Sequence, residues 1–219
     1  MIRLLLAPLL LAGFVQEGRP AMSTWVSVQL PDSAQQHAPD VFAVFEQVEQ
    51  ELNEWKPGTP LATVNEGAGG PPVTVPPSLL DAIERGLALG EVTDGAFDIT
   101  WAALWGLWDF RAVSPAVPDA AEIDRRRALI DYRRVVVDRE KFTVSLPQAG
   151  MKIGLGGIAK GWALDRAAAL LRARGITSFL ISAGGQVYAA GDKDGEPWRV
   201  GIRDPRGAAD SYYTVVEVR

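Results

Sequence analysis

The chain has no cysteine in its 219 residues. That excludes disulfides, thiolate catalysis and Cys-based zinc sites. Histidine is nearly as scarce: His37 is the only one, so a His-rich metal centre is excluded too. His37 sits in the polar run SAQQHAPD and reads as a solvent-exposed side chain. Positive charge is not in excess. The net charge of −5 makes non-specific attraction to nucleic acid an unfavourable expectation, and no nucleic-acid partner is expected. No internal repeat and no low-complexity tract interrupts the chain, and after the first residues no apolar run is long enough to cross a bilayer.

What is present begins with an apolar leader, MIRLLLAPLLLAGF, in which one Arg precedes a run from Leu4 to Phe14. It is too short to span a membrane and suits a signal-peptide core. Residues 1–18 are therefore expected to be a signal-peptide-like leader. The expected location is periplasmic, or on the inner membrane facing the periplasm with the leader as the attachment; without a working signal it would be cytoplasmic. Residues 19–219 are expected to be the N-terminal part of one domain that is C-terminally incomplete, since VEVR ends inside or just after a strand.

Hydrophobic residues make up 47% of the chain and charged residues 22%, ordinary for a globular protein with a real core. Residues 24–30 alternate as a strand. Residues 39–55 carry Val41, Val44 or Phe45, Val48, Leu52 and Trp55 at helical spacing, closed by Lys56-Pro57-Gly58. A Gly- and Pro-rich loop over 66–77 leads to a helix over 78–89, with a charged helix over 119–130 further on. Residues 135–137 and 142–146 predict a hairpin. The segment 158–174 is the strongest helix, with Gly175 as its C-cap, and strands follow at 178–182, 187–190, 198–202 and 212–218. Helices interspersed with hairpins predict an α+β fold with mostly antiparallel strands and flanking helices.

Chemistry concentrates in three places. KIGLGGIAKG, residues 152–161, puts a glycine-rich turn before the strongest helix, where backbone can approach a ligand and helix N–H groups can meet an anion. Its spacing is not a G-x-x-x-x-G-K-[ST], and Ala159 takes the last place of a G-x-G-x-x-G. Thr93-Asp-Gly-Ala-Phe-Asp98 can offer backbone groups and a carboxylate to a polar ring edge, or can be a self-capped turn. Trp101, Trp105 and Trp108 read as core or as a stacking platform. Arg125, Arg126 and Arg127 read as a solvated face.

Taken in order, several segments resemble the FAD:protein FMN transferases, the ApbE family. They are Ala21–Trp25, Leu52-Asn-Glu-Trp-Lys-Pro57, Leu61 to Asn65, Thr93 to Thr100, Trp105 to Phe110, Gly154 to Asp165, Ser182-Ala-Gly-Gly185 and Pro197 to Ile202. The resemblance implies a T-fold-like α+β domain that takes FAD and Mg²⁺. Such a domain moves FMN from FAD onto a threonine of an acceptor protein, such as a subunit of a redox-driven membrane complex. It further implies Met22, Trp55, Ala96, Phe97, Asp98, Gly154 and Lys160 as FAD contacts and the backbone of Gly157 as a metal ligand. Two features depart from the family pattern. Gly154 stands where many members carry Asp, and the family's later His-containing Asp-Pro motif and metal-binding Asp and Thr have no counterpart. An FAD pyrophosphatase releasing FMN and AMP, or a flavin-binding protein without catalysis, are the alternative functions. The residues themselves point to no catalytic base.

Overall fold

In the computed structural model, residues 13–208 and 211–219 are described. In chain order the strands and α-helices are β1 (Phe14–Ala21), β2 (Thr24–Pro31), α1 (Ala38–Leu52), α2 (Pro60–Glu66), β3 (Val73–Thr74), α3 (Pro77–Val92), α4 (Ala120–Arg127), β4 (Val136–Asp138), β5 (Thr143–Ser145), α5 (Gly156–Ala173), β6 (Phe179–Ala183), β7 (Gln186–Ala190), β8 (Trp198–Arg203) and β9 (Tyr212–Val218). Every strand pairing among them is antiparallel, in keeping with the α+β expectation. Most of the leader, residues 1–12, lies outside the described residues.

The chain divides into two compact units, one of residues 1–45 and 163–219, the other of residues 46–162, so that α1 and α5 each begin in one and end in the other. In the first unit a sheet of order β1-β2-β6-β7 is joined by a β8-β9 pair. Strand β1 is absent from the sequence expectation, which left residues 14–18 in the leader. It pairs with β2 over its whole length, from Phe14↔Pro31 to Ala21↔Thr24. The two strands turn through Met22 and Ser23, both at positive φ (50° and 57°), the backbone of a tight two-residue hairpin. Val26, Val28 and Leu30 alternate inward on β2 and Phe179, Ile181 and Ala183 on β6. Phe42, Phe45, Ala163, Ala167 and Leu171 are buried in the same unit. Gly175, at φ +75°, ends the helical turn of α5, and its N–H bonds to the carbonyl of Arg172 (2.9 Å).

His37 is half-buried, contrary to its expected exposure. Its Nδ1 lies 3.0 Å from Arg174 Nη1 and 3.7 Å from the Asp40 carboxylate. The guanidinium of Arg174 beside Asp40 holds that carboxyl below its usual range.

In the second unit, α2, α3 and a small β3-β5-β4 sheet surround buried Leu61, Leu79, Ile83, Ile99, Val144 and Ile153. The expected helix over 39–55 ends early, at Leu52. Asn53 Oδ1 accepts from the N–H groups of Trp55 (2.9 Å) and Lys56 (3.2 Å), a local turn that competes with further helix. The unexpected α2 starts on Thr59, whose side chain accepts from Ala62 N–H, with Pro60 at its first position. The loop expected over 66–77 contains β3, which pairs with β5.

Candidate functional site

The glycine-rich turn is held from two directions. Met151, Ile153 and Leu155 are buried, yet this apolar piece is not a strand. Asn65 takes the place of a strand partner: its Oδ1 accepts from Ile153 N–H (2.7 Å) and its Nδ2 donates to Ile153 C=O (2.9 Å). One residue on, Gly154 N–H donates to the carbonyl of Ile99 (2.8 Å). Helix α5 then begins at Gly156, two residues before the expected start, so Gly156 and Gly157 form its exposed first turn.

Around this turn stand the tryptophans. Leaving the helix at Leu52 turns Trp55 outward, 67% exposed, where the sequence pattern placed it on the inner face. It stacks on Trp105 with ring centroids 4.1 Å apart and planes at 27°, and Trp101 meets Trp105 edge-on at 5.8 Å. Arg126, held by Glu122, donates to the backbone oxygen of Trp105 (2.7 Å) and fixes its position. The cluster is a half-exposed shelf. Trp105 lies directly against the turn: a β-carbon on Gly154 would stand 2.8 Å from Cζ2 of Trp105, closer than such atoms approach. The indole fills the space a side chain at 154 would need, so glycine is the residue that fits there. The Trp105 indole N–H is buried with no acceptor among the described residues.

The segment 93–98 closes another side. Thr93 Oγ1 donates to Leu89 C=O (2.7 Å) and accepts from Phe97 N–H (2.9 Å), while Asp94 (φ 49°) and Gly95 (φ +80°) turn the chain. Ala96 is exposed and Phe97 half-buried. A β-carbon on Gly157 would stand 3.1 Å from the Phe97 ring, so ring and first helical turn are in contact. Asp98 faces inward. Its Oδ1 accepts from Thr100 N–H (2.7 Å) and Thr100 Oγ1 (2.6 Å), and its Oδ2 accepts from Tyr132 N–H (2.9 Å).

Trp55, Phe97, Gly154 and Gly157 are thus linked through direct ring contacts at the start of α5, and Lys160 follows one turn later on the same helix. Met22 belongs to the other unit, at its β1–β2 turn. Sequence reading passed over Glu54 and Asn65 as individual residues. The Glu54 Oε1 lies 3.7 Å from where a β-carbon on Gly156 would stand, and burial pushes its pKa above the usual carboxylate range, against its own backbone N–H, the Gly156 N–H and the charge of Lys160. Nothing in NEWKP signals that reach, since it joins positions a hundred residues apart. Among the described residues no three His, Cys, Asp or Glu side chains are grouped to hold a metal ion.

A family model described as the ApbE family matches residues 22–219. The chain belongs to the ApbE family. This ApbE chain is 36% identical over 194 residues to the FAD:protein FMN transferase of Treponema pallidum (strain Nichols), across 82% of its own length and 54% of that protein's. It is 33% identical over 165 residues to an FAD:protein FMN transferase of Klebsiella pneumoniae (strain 342), across 75% of this chain and 51% of that one. The ApbE chain therefore spans about half the length of the curated relatives it matches. Its fold superposes on the ApbE protein of Thermotoga maritima with a TM-score of 0.83 at 28% identity, covering 94% of this chain and 67% of that one. The flavin transferase ApbE from Vibrio cholerae gives 0.80 at 26%, covering 89% and 65%.

Proposed function

We propose that this chain serves the transfer of FMN from FAD to a threonine hydroxyl of an acceptor protein, with Mg²⁺. The observation that carries the reading is the joining of an aromatic shelf to a helix N-terminus through the Trp105–Gly154 contact. A dinucleotide with a flat ring at one end and a diphosphate beside it needs both features in contact.

The residues present suit FAD. Trp55 offers an exposed ring face and Trp105 a buried, unpartnered N–H. The first turn of α5 presents the exposed backbone of Gly156 and Gly157 to a phosphate, and Lys160 adds a positive charge one turn on. In the transfer, the threonine oxygen bonds to the FMN phosphorus, the bond to the AMP phosphate oxygen breaks, and the hydroxyl proton is released. Positioning and charge neutralisation dominate such a displacement. For Mg²⁺ this chain contributes the backbone oxygen of Gly157 by resemblance. The described side chains form no carboxylate cage around it.

The test has two stages. The chain should bind FAD in preference to FMN by calorimetry, and Trp55→Ala should weaken FAD about tenfold, the scale of one aromatic pair. With FAD, Mg²⁺ and a threonine-bearing acceptor peptide, in-gel flavin fluorescence should appear on the peptide and vanish with EDTA. Equal affinity for FAD and FMN would remove the diphosphate site. Release of FMN and AMP without labelled peptide would make the activity a pyrophosphatase, and binding without turnover would leave a flavin-binding protein.

A further inference from the structure

Helix α5 carries no acidic residue in its own first turn. The anion at its N-terminus comes instead from Glu54, whose Oε1 lies 3.7 Å from where a β-carbon on Gly156 would stand. The carboxylate is drawn by its own backbone N–H, by the Gly156 N–H beside it and by the charge of Lys160 further along α5. The last two are among the groups the flavin reading assigns to the phosphate end of FAD. The turn that contains Glu54 is closed by other side chains as well. Asn53 caps the N–H groups of Trp55 and Lys56, and Thr59 Oγ1 donates to the carbonyls of Asn53 (2.6 Å) and Lys56 (3.0 Å). Beyond its own backbone N–H, this half-buried carboxylate lies beside the positive end of another helix, and that position calls for a further reason.

We propose that Glu54 is an internal stand-in for the substrate phosphate: it occupies the α5 N-terminus and faces Lys160 while no phosphate is there, and it must withdraw when FAD binds. The proposal rests on the flavin reading and adds to it a residue that sets affinity. Two unit anions about 4 Å apart repel by roughly 1 kcal/mol in water and roughly 4 kcal/mol at a protein surface, so carboxylate and diphosphate cannot share the position without loss.

The experiment compares the wild-type chain with Glu54→Gln, which keeps shape and removes charge. Calorimetry is run with FAD, with inorganic pyrophosphate as a bare anion, and with riboflavin, which has the ring and no phosphate. E54Q should bind FAD and pyrophosphate about tenfold tighter and riboflavin unchanged. Glu54→Asp, whose carboxylate is drawn back by one methylene, should fall between the two, and it serves if the Gln variant does not fold. Equal or weaker binding of FAD and pyrophosphate by E54Q, or a matching gain for riboflavin, overturns the stand-in while leaving the flavin site. Failure of wild type and both variants to bind either FAD or pyrophosphate overturns the flavin reading and this proposal with it.

Discussion

Two acidic residues flank the aromatic cluster of the second unit, and they are used in opposite ways. Asp98 is saturated by the protein: three donors converge on its two oxygens, and they tie the 93–98 turn to Thr100 and Tyr132. Glu54 has only its own backbone N–H, the Gly156 N–H of another segment and a lysine at the edge of its field. Close by, the indole N–H of Trp105 has no acceptor among the described residues. Saturated polar groups hold a fold together, while groups with capacity left over mark the place where something else binds. The family resemblance gives Asp98 a role at the cofactor and passes over Glu54, which hydrogen-bond capacity brings into view beside it.

The largest expected effect breaks the saturated corner. Asp98→Ala removes a carboxylate with three donors and should lower unfolding free energy by about 3 kcal/mol, read by urea denaturation. A loss under about 0.5 kcal/mol would erase the contrast with Glu54. Next, Gly154→Ala presses a methyl against Trp105, which lies 2.8 Å from that position. We expect about 2 kcal/mol of destabilisation from overpacking, together with loss of the near-ultraviolet circular dichroism of the stacked Trp55–Trp105 pair. An unchanged spectrum would mean the shelf is not seated on the turn. The smallest effect comes from an exposed pair in the other unit. Asp40, held low by Arg174, adds stability above the ordinary carboxylate range and loses it as pH falls through its depressed value. Asp40→Asn should therefore flatten the acid limb of the pH–stability curve slightly and leave stability at neutral pH nearly unchanged, as solvent-screened pairs do. A large change at pH 7 would contradict that screening.

Much of the fold was legible in the sequence. Apolar spacing located α1, α3 and α5, and alternation located β2, β6 and the later strands, because those signals are local. Misplaced boundaries trace to single side chains. Asn53 stops α1 three residues early, and Thr59-Pro60 starts a short helix whose cap signal was present and unused. Strand β1 was hidden because its first residues were read as part of the leader, and its ladder with β2 makes it a strand. At the site, the residue types and their order were readable through the family resemblance. The Trp105 ring over Gly154, Glu54 at the start of α5 and the three donors on Asp98 were not, since each joins segments far apart in sequence.

Asn65 has a consequence of another kind, in how the chain tolerates change. Its side-chain amide copies the donor and acceptor of a peptide group and gives Ile153 both partners of a sheet without a strand. No other residue offers that pair at that length: Asp lacks the donor, Gln reaches a methylene too far, and Ser is too short. Its neighbours Thr63 and Glu66 use no side-chain atom on Ile153. Position 65 is therefore a single letter without a synonym. Drift can rewrite the surface of α2 freely, while the glycine-rich turn stays answerable to one amide.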